Sequence, residues 1–289
     1  MSSLAKELVE SGIHFGQRRS NWNPRMAPYI HSTRNQVHVI DVRETIKGLL
    51  LAKRFIQKLV SEGKDVCFVG TKRQARGAIE ARCAEAKMPY VTERWLGGTL
   101  TNFRTIRDRL RRLEELESLQ QSGEIRNYSK KMESQLTREQ KKIFRNLNGI
   151  RGMTKLPGAL VAIDTTREVN ALNEARNLGI PTICLIDTDG NPELADIPIP
   201  GNDDSMRAID IVVRELCAAV TEGRSQRAET AATSGDRGDE AGLRGEANPD
   251  TAPAGRRRSS RSQFRARGRA DEADTGTPAR SETAPVENA

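Results

Sequence analysis

The chain has 289 residues, with 47 Lys and Arg against 39 Asp and Glu, which gives a formal net charge of +8. A positive balance of this size favours a polyanionic partner such as a nucleic acid. No apolar run reaches membrane-spanning length, and the first residues, which include Glu7 and Glu10, predict a short amphipathic helix and no signal peptide. The four cysteines are scattered, so we expect buried thiols in a reducing compartment, the cytoplasm.

Residues 14 to 41 form a basic segment with no acidic residue before Asp41. Pro24 and Pro28 exclude a regular helix there, and the patterns at 29–31 and 37–40 predict a small hairpin turning at Arg34-Asn35. Arginines interleaved with aromatic residues suit contacts to phosphates, sugars and bases of RNA. The alternative is a solvated loop whose aromatic side chains pack into the core. We expect RNA contacts from Arg18, Arg19, Trp22, Asn23, Arg25 and Arg34.

From residue 43 onward, helical and strand patterns alternate along the chain. Apolar spacing predicts helices over about 43–62, 72–87, 166–177 and 204–222. Apolar runs at 66–69, 89–92, 159–164 and 181–187 predict buried strands. This alternation with short links predicts an α/β domain whose parallel sheet is covered on both faces. Polar residues at the strand ends are then expected at one rim of the sheet. Among them, we expect Lys72 and Arg73 to contact RNA.

A glycine-rich loop follows the strand at 89–92 and falls on the same rim. Its paired glycines allow the backbone to come close to a ligand, and arginines match phosphate geometry. Asn102 is placed to cap the next helix. The alternative is a strand-to-helix turn that simply needs small residues. We favour an anion-binding, RNA-contacting loop formed by Arg94, Gly97, Gly98, Thr99, Thr101, Asn102 and Arg104, with Trp95 and Leu96 partly buried and Arg94 exposed.

Residues 102 to 150 interrupt the alternation with two helical stripes separated by Ser122-Gly123. This pattern predicts a protruding helical hairpin with a coiled-coil-like seam, inserted between core segments 1–101 and 151–223. Residues 224 to 289 are nearly devoid of large apolar side chains, so we expect a disordered tail. Within it, Arg256 to Arg269 is a separate basic block, for which RNA attachment and a solubilising role are both open.

The enzyme alternatives are weaker. Gly70-Thr71-Lys72 lacks the rest of a phosphate-binding loop. Asp187 and Asp189 after an apolar strand are similar to the start of a magnesium-dependent phosphatase motif, but the supporting acidic residues follow too closely in the chain. Turn formation by these aspartates is the simpler explanation. The sequence predicts no catalytic residue, no cofactor and no metal.

Several motifs together match one known family. They are His14-Phe15-Gly16, Trp22-Asn23-Pro24-Arg25, Phe68-Val69-Gly70-Thr71-Lys72, Arg94 to Phe103, Gly179-Ile180-Pro181 and Pro200 to Asp204. Over about residues 3 to 222, the chain resembles the bacterial ribosomal protein S-two family of the small ribosomal subunit. Two departures are Gln17, where the family usually has histidine, and Asp189, where it usually has asparagine. The first weakens any metal site built on paired histidines.

The resemblance implies a Rossmann- or flavodoxin-like three-layer core with a protruding helical hairpin. It implies a non-catalytic, ribosome-bound protein that contacts small-subunit ribosomal RNA. Other small-subunit proteins, including the large mRNA-binding protein S-one, are the implied protein partners, and no membrane is involved.

Overall fold

The structure is a computed structural model that describes residues 3–242, with side chains at 4–125 and 127–230. Within those residues the helices are α1 (Ser3–Glu10), α2 (Val42–Ser61), α3 (Arg73–Ala86), α4 (Phe103–Gln121), α5 (Lys130–Leu147), α6 (Val169–Asn177) and α7 (Met206–Gly242). The strands are β1 (Phe15–Arg18), β2 (Ile30–Arg34), β3 (Val37–Ile40), β4 (Val66–Val69), β5 (Tyr90–Val91), β6 (Ala159–Ile163), β7 (Thr182–Ile186) and β8 (Ile197–Pro200).

The central element is a five-stranded parallel sheet in the order β5-β4-β6-β7-β8. The four strands predicted in this region are confirmed. The fifth, β8, is an addition, because its sequence Ile-Pro-Ile-Pro lacks the pattern of an ordinary strand. Proline cannot donate to a ladder and is tolerated at a sheet edge, which is where β8 lies.

Side chains of the central strands alternate between two apolar layers. Val66 and Phe68 of β4 pack in the cluster that contains α2, α3 and α7, whereas Cys67 and Val69 pack in the cluster that contains α6 and the base of α4. Because successive residues of a strand point to opposite faces, a continuous apolar run is required where both faces are covered. All four cysteines are buried free thiols.

A second, antiparallel sheet in the order β1-β3-β2 is built from the basic segment. The predicted hairpin is present, but it turns at Asn35 and Gln36, which both have positive φ, rather than at Arg34-Asn35. The additional strand β1 is short and largely polar. Between β1 and β2, residues Pro24–Tyr29 form a 3-10 helix, which accommodates Pro24 in its first turn.

The small sheet rests on the carboxyl edge of the central sheet. The N–H of Asn23 donates to the Thr188 carbonyl oxygen at 2.8 Å, and the N–H of Asn202 donates to the Ile13 carbonyl oxygen at 2.8 Å. Among the described residues, no helix has both the length and the apolar character needed to cross a bilayer.

Helices α4 and α5 pack along each other. Their contact surface includes the buried Leu110, Leu116 and Leu136, and an ion pair links Arg112 to Glu139 at 3.8 Å. At the base of the pair, Leu110 and Leu147 join the apolar cluster on the α6 side of the sheet.

The last helix differs from the prediction, which ended it near Glu222 and assigned disorder from 224. Helix α7 continues to Gly242, because arginine, glutamine, glutamate and alanine in this stretch favour helix. Its continuation is also anchored, since the Arg224 guanidinium donates to the carbonyl oxygens of Ala86 and Lys87. Residues 243–289, with the rest of the predicted disordered tail and its basic block, lie outside the described residues.

Candidate nucleic-acid interface

Three exposed arginines lie at the turn end of the small sheet. Strand pairing places Arg18 and Arg34 on either side of Val37, and the N–H of Arg19 donates to the Gln36 carbonyl oxygen at 2.8 Å. None of the three side chains forms an ion pair with the described residues, and all three are exposed. The positive charge gathered here is therefore left for an external anion to neutralise.

The other predicted residues of the basic segment have partners within the chain. Trp22 is 37% exposed and packs against the ring of His38, with centroids 5.1 Å apart. The Asn23 side chain accepts the Arg25 N–H at 3.1 Å and so caps the 3-10 helix. The Arg25 guanidinium pairs with Glu193 at 3.1 Å, and both groups are solvent-exposed, so this pair is readily exchanged for another anion.

The glycine loop encloses an anion, and the anion is part of the chain. The Glu174 carboxylate on α6 accepts hydrogen bonds from Trp95 Nε1 at 3.0 Å, Gly98 N at 2.8 Å and Leu100 N at 3.0 Å. The backbone N–H and hydroxyl of Thr101 each donate to it at 3.2 Å. Burial would raise the pKa of this carboxyl, but the bonds from Leu100 and Gly98 hold it below its usual value.

This internal carboxylate occupies part of the predicted RNA site. Gly98 and Thr101 already use their N–H groups on Glu174, and Thr99 is buried with its hydroxyl bonded to the Leu96 carbonyl at 2.5 Å. Asn102 occupies the N-cap position before α4, but its side chain accepts the Thr105 hydroxyl at 2.8 Å instead of a helix N–H. These groups therefore stabilise the loop and have few hydrogen-bond donors left for a phosphate.

The flanks of the loop remain open to solvent. Arg94, Gly97 and Arg104 are exposed, and neither arginine forms an ion pair with the described residues. The expected burial pattern is confirmed, since Trp95 is only 7% exposed, Leu96 is half-buried and Arg94 is exposed. The loop thus presents two free cations on a backbone fixed by Glu174.

Lys72 was predicted to contact RNA, but its side chain is buried and paired within the chain. Its ammonium is buried and lies 2.7 Å from Asp203 Oδ1, 2.6 Å from Asp204 Oδ1 and 3.6 Å from Asp164 Oδ2. Burial alone would lower the pKa of this ammonium, but the bonds to Asp203 and Asp204 raise it. Its neighbour Arg73 is exposed and stays available.

The carboxylates in and beside this site come from three loops at the carboxyl edge of the sheet, after β6, β7 and β8. Oxygen atoms of Asp187, Asp203 and Asp204 lie within 4.8 Å of one another, and the Gln17 side-chain amide donates to Asp187 at 3.1 Å and to Asp204 at 2.9 Å. Burial raises the pKa of Asp187 to about 6 and that of Asp203 to about 8. Lys72 supplies the positive charge among them, so this cluster ties the small sheet to the central one.

Sequence reasoning missed the two residues that organise this region, Glu174 and Gln17. Glu174 lies 76 residues from Gly98 in the chain. The pair Glu174-Ala175 matches the family, but nothing in it indicates a contact with the glycine loop. Gln17 was noted only as a departure from a family motif, yet its backbone N–H also donates to the Thr188 hydroxyl at 2.8 Å.

An α/β fold with exposed, unpaired arginines among its described residues is suited to a structural protein that binds nucleic acid, and comparison with known proteins agrees. The family model described as ribosomal protein S2 matches residues 8–223. The chain therefore belongs to the ribosomal protein S2 family.

Individual relatives extend this match over most of the chain. A protein named small ribosomal subunit protein uS2 from Rhodopirellula baltica is 52% identical over 80% of this chain and 89% of its own length. Relatives of the same name from Nocardia farcinica and Rippkaea orientalis are 45% and 46% identical, over 82% and 77% of this chain and 82% of each relative.

Proposed function

We propose that this chain is a structural constituent of the small ribosomal subunit that binds ribosomal RNA and neighbouring ribosomal proteins. The observation that carries the proposal is the family match over residues 8–223, which includes the exposed basic surface. The phosphatase alternative has no support, because the family is not enzymatic and Lys72 fills the acidic cluster that would have held magnesium.

The RNA interface consists of exposed arginines held on fixed backbone. Neutralising backbone phosphates releases counterions from the RNA, so unpaired arginines contribute most of the affinity. Gly97 and Trp22 are exposed beside these cations, and Arg25 joins them by exchanging Glu193 for a phosphate. The proposed phosphate-binding residues are Arg18, Arg19, Arg25, Arg34, Arg73, Arg94 and Arg104.

We also infer that α4 and α5 form a protruding hairpin, inserted at 102–150 between the core segments 1–101 and 151–223. The packed leucine seam and the short connection between the two helices support it. Counted along the chain, the parallel strands take the order 2-1-3-4-5, which supports a flavodoxin-like core. The hairpin is a suitable docking element for protein neighbours, among them the mRNA-binding protein S-one that the family resemblance implies.

Ribosome attachment and four buried free thiols favour the cytoplasm as the location.

The test is sedimentation of subunits from cells that express tagged variants. The double variant Arg34→Glu with Arg94→Glu should leave the small-subunit peak at a lower salt concentration than the unmodified chain. Arg54→Glu with Lys58→Glu makes the same charge change on exposed positions of α2 and should behave like the unmodified chain. Equal retention of both double variants would refute the proposed interface. Absence of the unmodified chain from the small-subunit peak would refute the function itself.

A further inference from the structure

The small sheet has a solvent face of unusual composition. In antiparallel pairs, residues that lie opposite each other project to the same face. The register places Phe15, Val39 and Ser32 in one row across the three strands. A second row across the same strands is formed by Arg18, Val37 and Arg34.

The described residues cover this face less than they cover the opposite face. His38 and Ile40, which alternate with Val37 and Val39 along β3, are buried against the core. Phe15 is 51% exposed, and Arg18, Ser32 and Arg34 are exposed. A solvent face of a half-buried sheet is normally polar, so an exposed aromatic ring on the same face as two strand-borne arginines indicates a binding surface.

The positive charge of this face favours an anionic partner. The arginines of this face have no ion pair with the described residues, and the segment from 14 to 40 contains no acidic residue. The Phe15 ring is itself supported by the His14 ring, with centroids 4.2 Å apart. Beside Val39 the surface opens into a cavity of about 510 Å³ whose lining includes His14 and Ile46. The surface therefore combines an aromatic platform, adjacent space and unpaired cations.

We propose that the solvent face of the β1-β3-β2 sheet binds an unpaired stretch of RNA, with one nucleobase stacked on Phe15 and neighbouring phosphates on Arg18 and Arg34. The two rows are about 7 Å apart, which is the rise of two residues along a strand. A base can therefore stack on Phe15 while the next phosphate contacts the arginines. Bases in a duplex are stacked on each other and cannot reach the platform, whereas unstacked bases can. The proposal rests on the proposed RNA-binding function and specifies which form of RNA this face takes.

The test uses the full-length protein and a labelled RNA of about 10 nucleotides, within the site sizes of single-strand binders, either alone or in a duplex. Phe15→Leu keeps an apolar side chain without the ring, and should weaken binding of the single strand about 5- to 150-fold, the effect of losing one stacked base. Its affinity for the duplex should be unchanged. Phe144→Leu is the matched control, since Phe144 is 46% exposed but lies on α5, and it should bind both RNAs like the unmodified protein.

A second variant reports stacking directly. Phe15→Trp should retain single-strand affinity, and its added indole emission should be quenched by the single strand and not by the duplex. Circular dichroism of both Phe15 variants should match that of the unmodified protein.

The outcomes separate this inference from the function on which it rests. Unchanged single-strand affinity in Phe15→Leu, equal weakening of both RNAs, or an unquenched Phe15→Trp would overturn the inference alone, provided that Arg34→Glu with Arg94→Glu still loosens subunit attachment. Loss of subunit incorporation in Phe15→Leu with unchanged RNA affinity would assign the face to a neighbouring protein and also overturn it. A chain that neither binds RNA nor enters the subunit would refute the function and the inference together.

Discussion

Removing the Glu174 carboxylate should cost about 3 kcal/mol of unfolding free energy. Its partners Trp95 and Leu100 are buried and Gly98 is half-buried, so Glu174→Ala leaves three donors shielded from water without an acceptor. Each such loss costs roughly 1 kcal/mol. The two donors of Thr101 are exposed and can bond to water, so they add little.

Urea unfolding of the full-length protein measures this loss as a lower midpoint at unchanged slope. Asn173→Ala, at the exposed neighbouring position of the same helix, is the control and should change stability by less than about 0.5 kcal/mol. Glu174→Gln keeps one acceptor oxygen but turns an amide group towards donors, so we expect an intermediate loss.

The pH dependence gives an independent check. The pKa of Glu174 is lowered in the folded protein, so its stabilisation is complete above the unfolded-state value of about 4.3 and is lost as the pH falls through the folded-state value. The difference between the unmodified protein and Glu174→Gln should therefore shrink in acid. A Glu174→Ala variant as stable as the control would show that the loop does not depend on this carboxylate.

Three further outcomes follow from the same structure. Lys72→Met removes the cation from a buried acidic cluster and should lower the free energy of unfolding by about 3 kcal/mol, seen as a lower urea midpoint. Exposed Arg73→Gln should leave that midpoint unchanged; equal effects would contradict the internal role of Lys72. Because the pKa of Asp203 is raised to about 8, the folded state holds a proton that the unfolded state releases near pH 4, so stability should fall as the pH rises towards 8. Asp203→Asn should flatten that fall, and parallel pH profiles would argue against it. Gly98 has φ +90°, so Gly98→Ala should cost about 1–2 kcal/mol in thermal unfolding, while Gly97→Ala meets no atom within 4 Å and should be neutral.

The strands that the sequence predicted best are those that are buried on both faces of the sheet. Strands β4, β6 and β7 are continuous apolar runs, and such runs leave little choice of environment. Strand β8 alternates with prolines and β1 is largely polar, so neither carries a local strand pattern. The helix after residue 204 is longer than predicted. The prediction ended it where large apolar residues cease, but residues with high helix propensity continue beyond that point.

At two places where the sequence predicted contact with RNA, the structure shows a partner inside the chain. Glycines, hydroxyls and amides around 97–102 do hold an anion, but the anion is Glu174 from a distant helix. Lys72 does lie at the rim of the sheet, but Asp164 and Asp203 meet it there. Both internal contacts were missed for one reason: residues far apart in the chain are brought together by the order of the parallel strands, which periodicity does not reveal. Whether the exposed arginines contact RNA stays a prediction.

The two edges of the central sheet affect whether the protein aggregates before it is incorporated into the subunit. An open strand edge is a template on which a second copy can add and begin to aggregate. At one edge, Pro198 and Pro200 interrupt the row of N–H donors on β8, and Gly48 of α2 packs directly on the Pro198 carbonyl. At the other, β5 is only two residues long, and Gly149 closes on the Tyr90 carbonyl. A newly made chain waiting for its RNA is thereby protected from edge-to-edge aggregation.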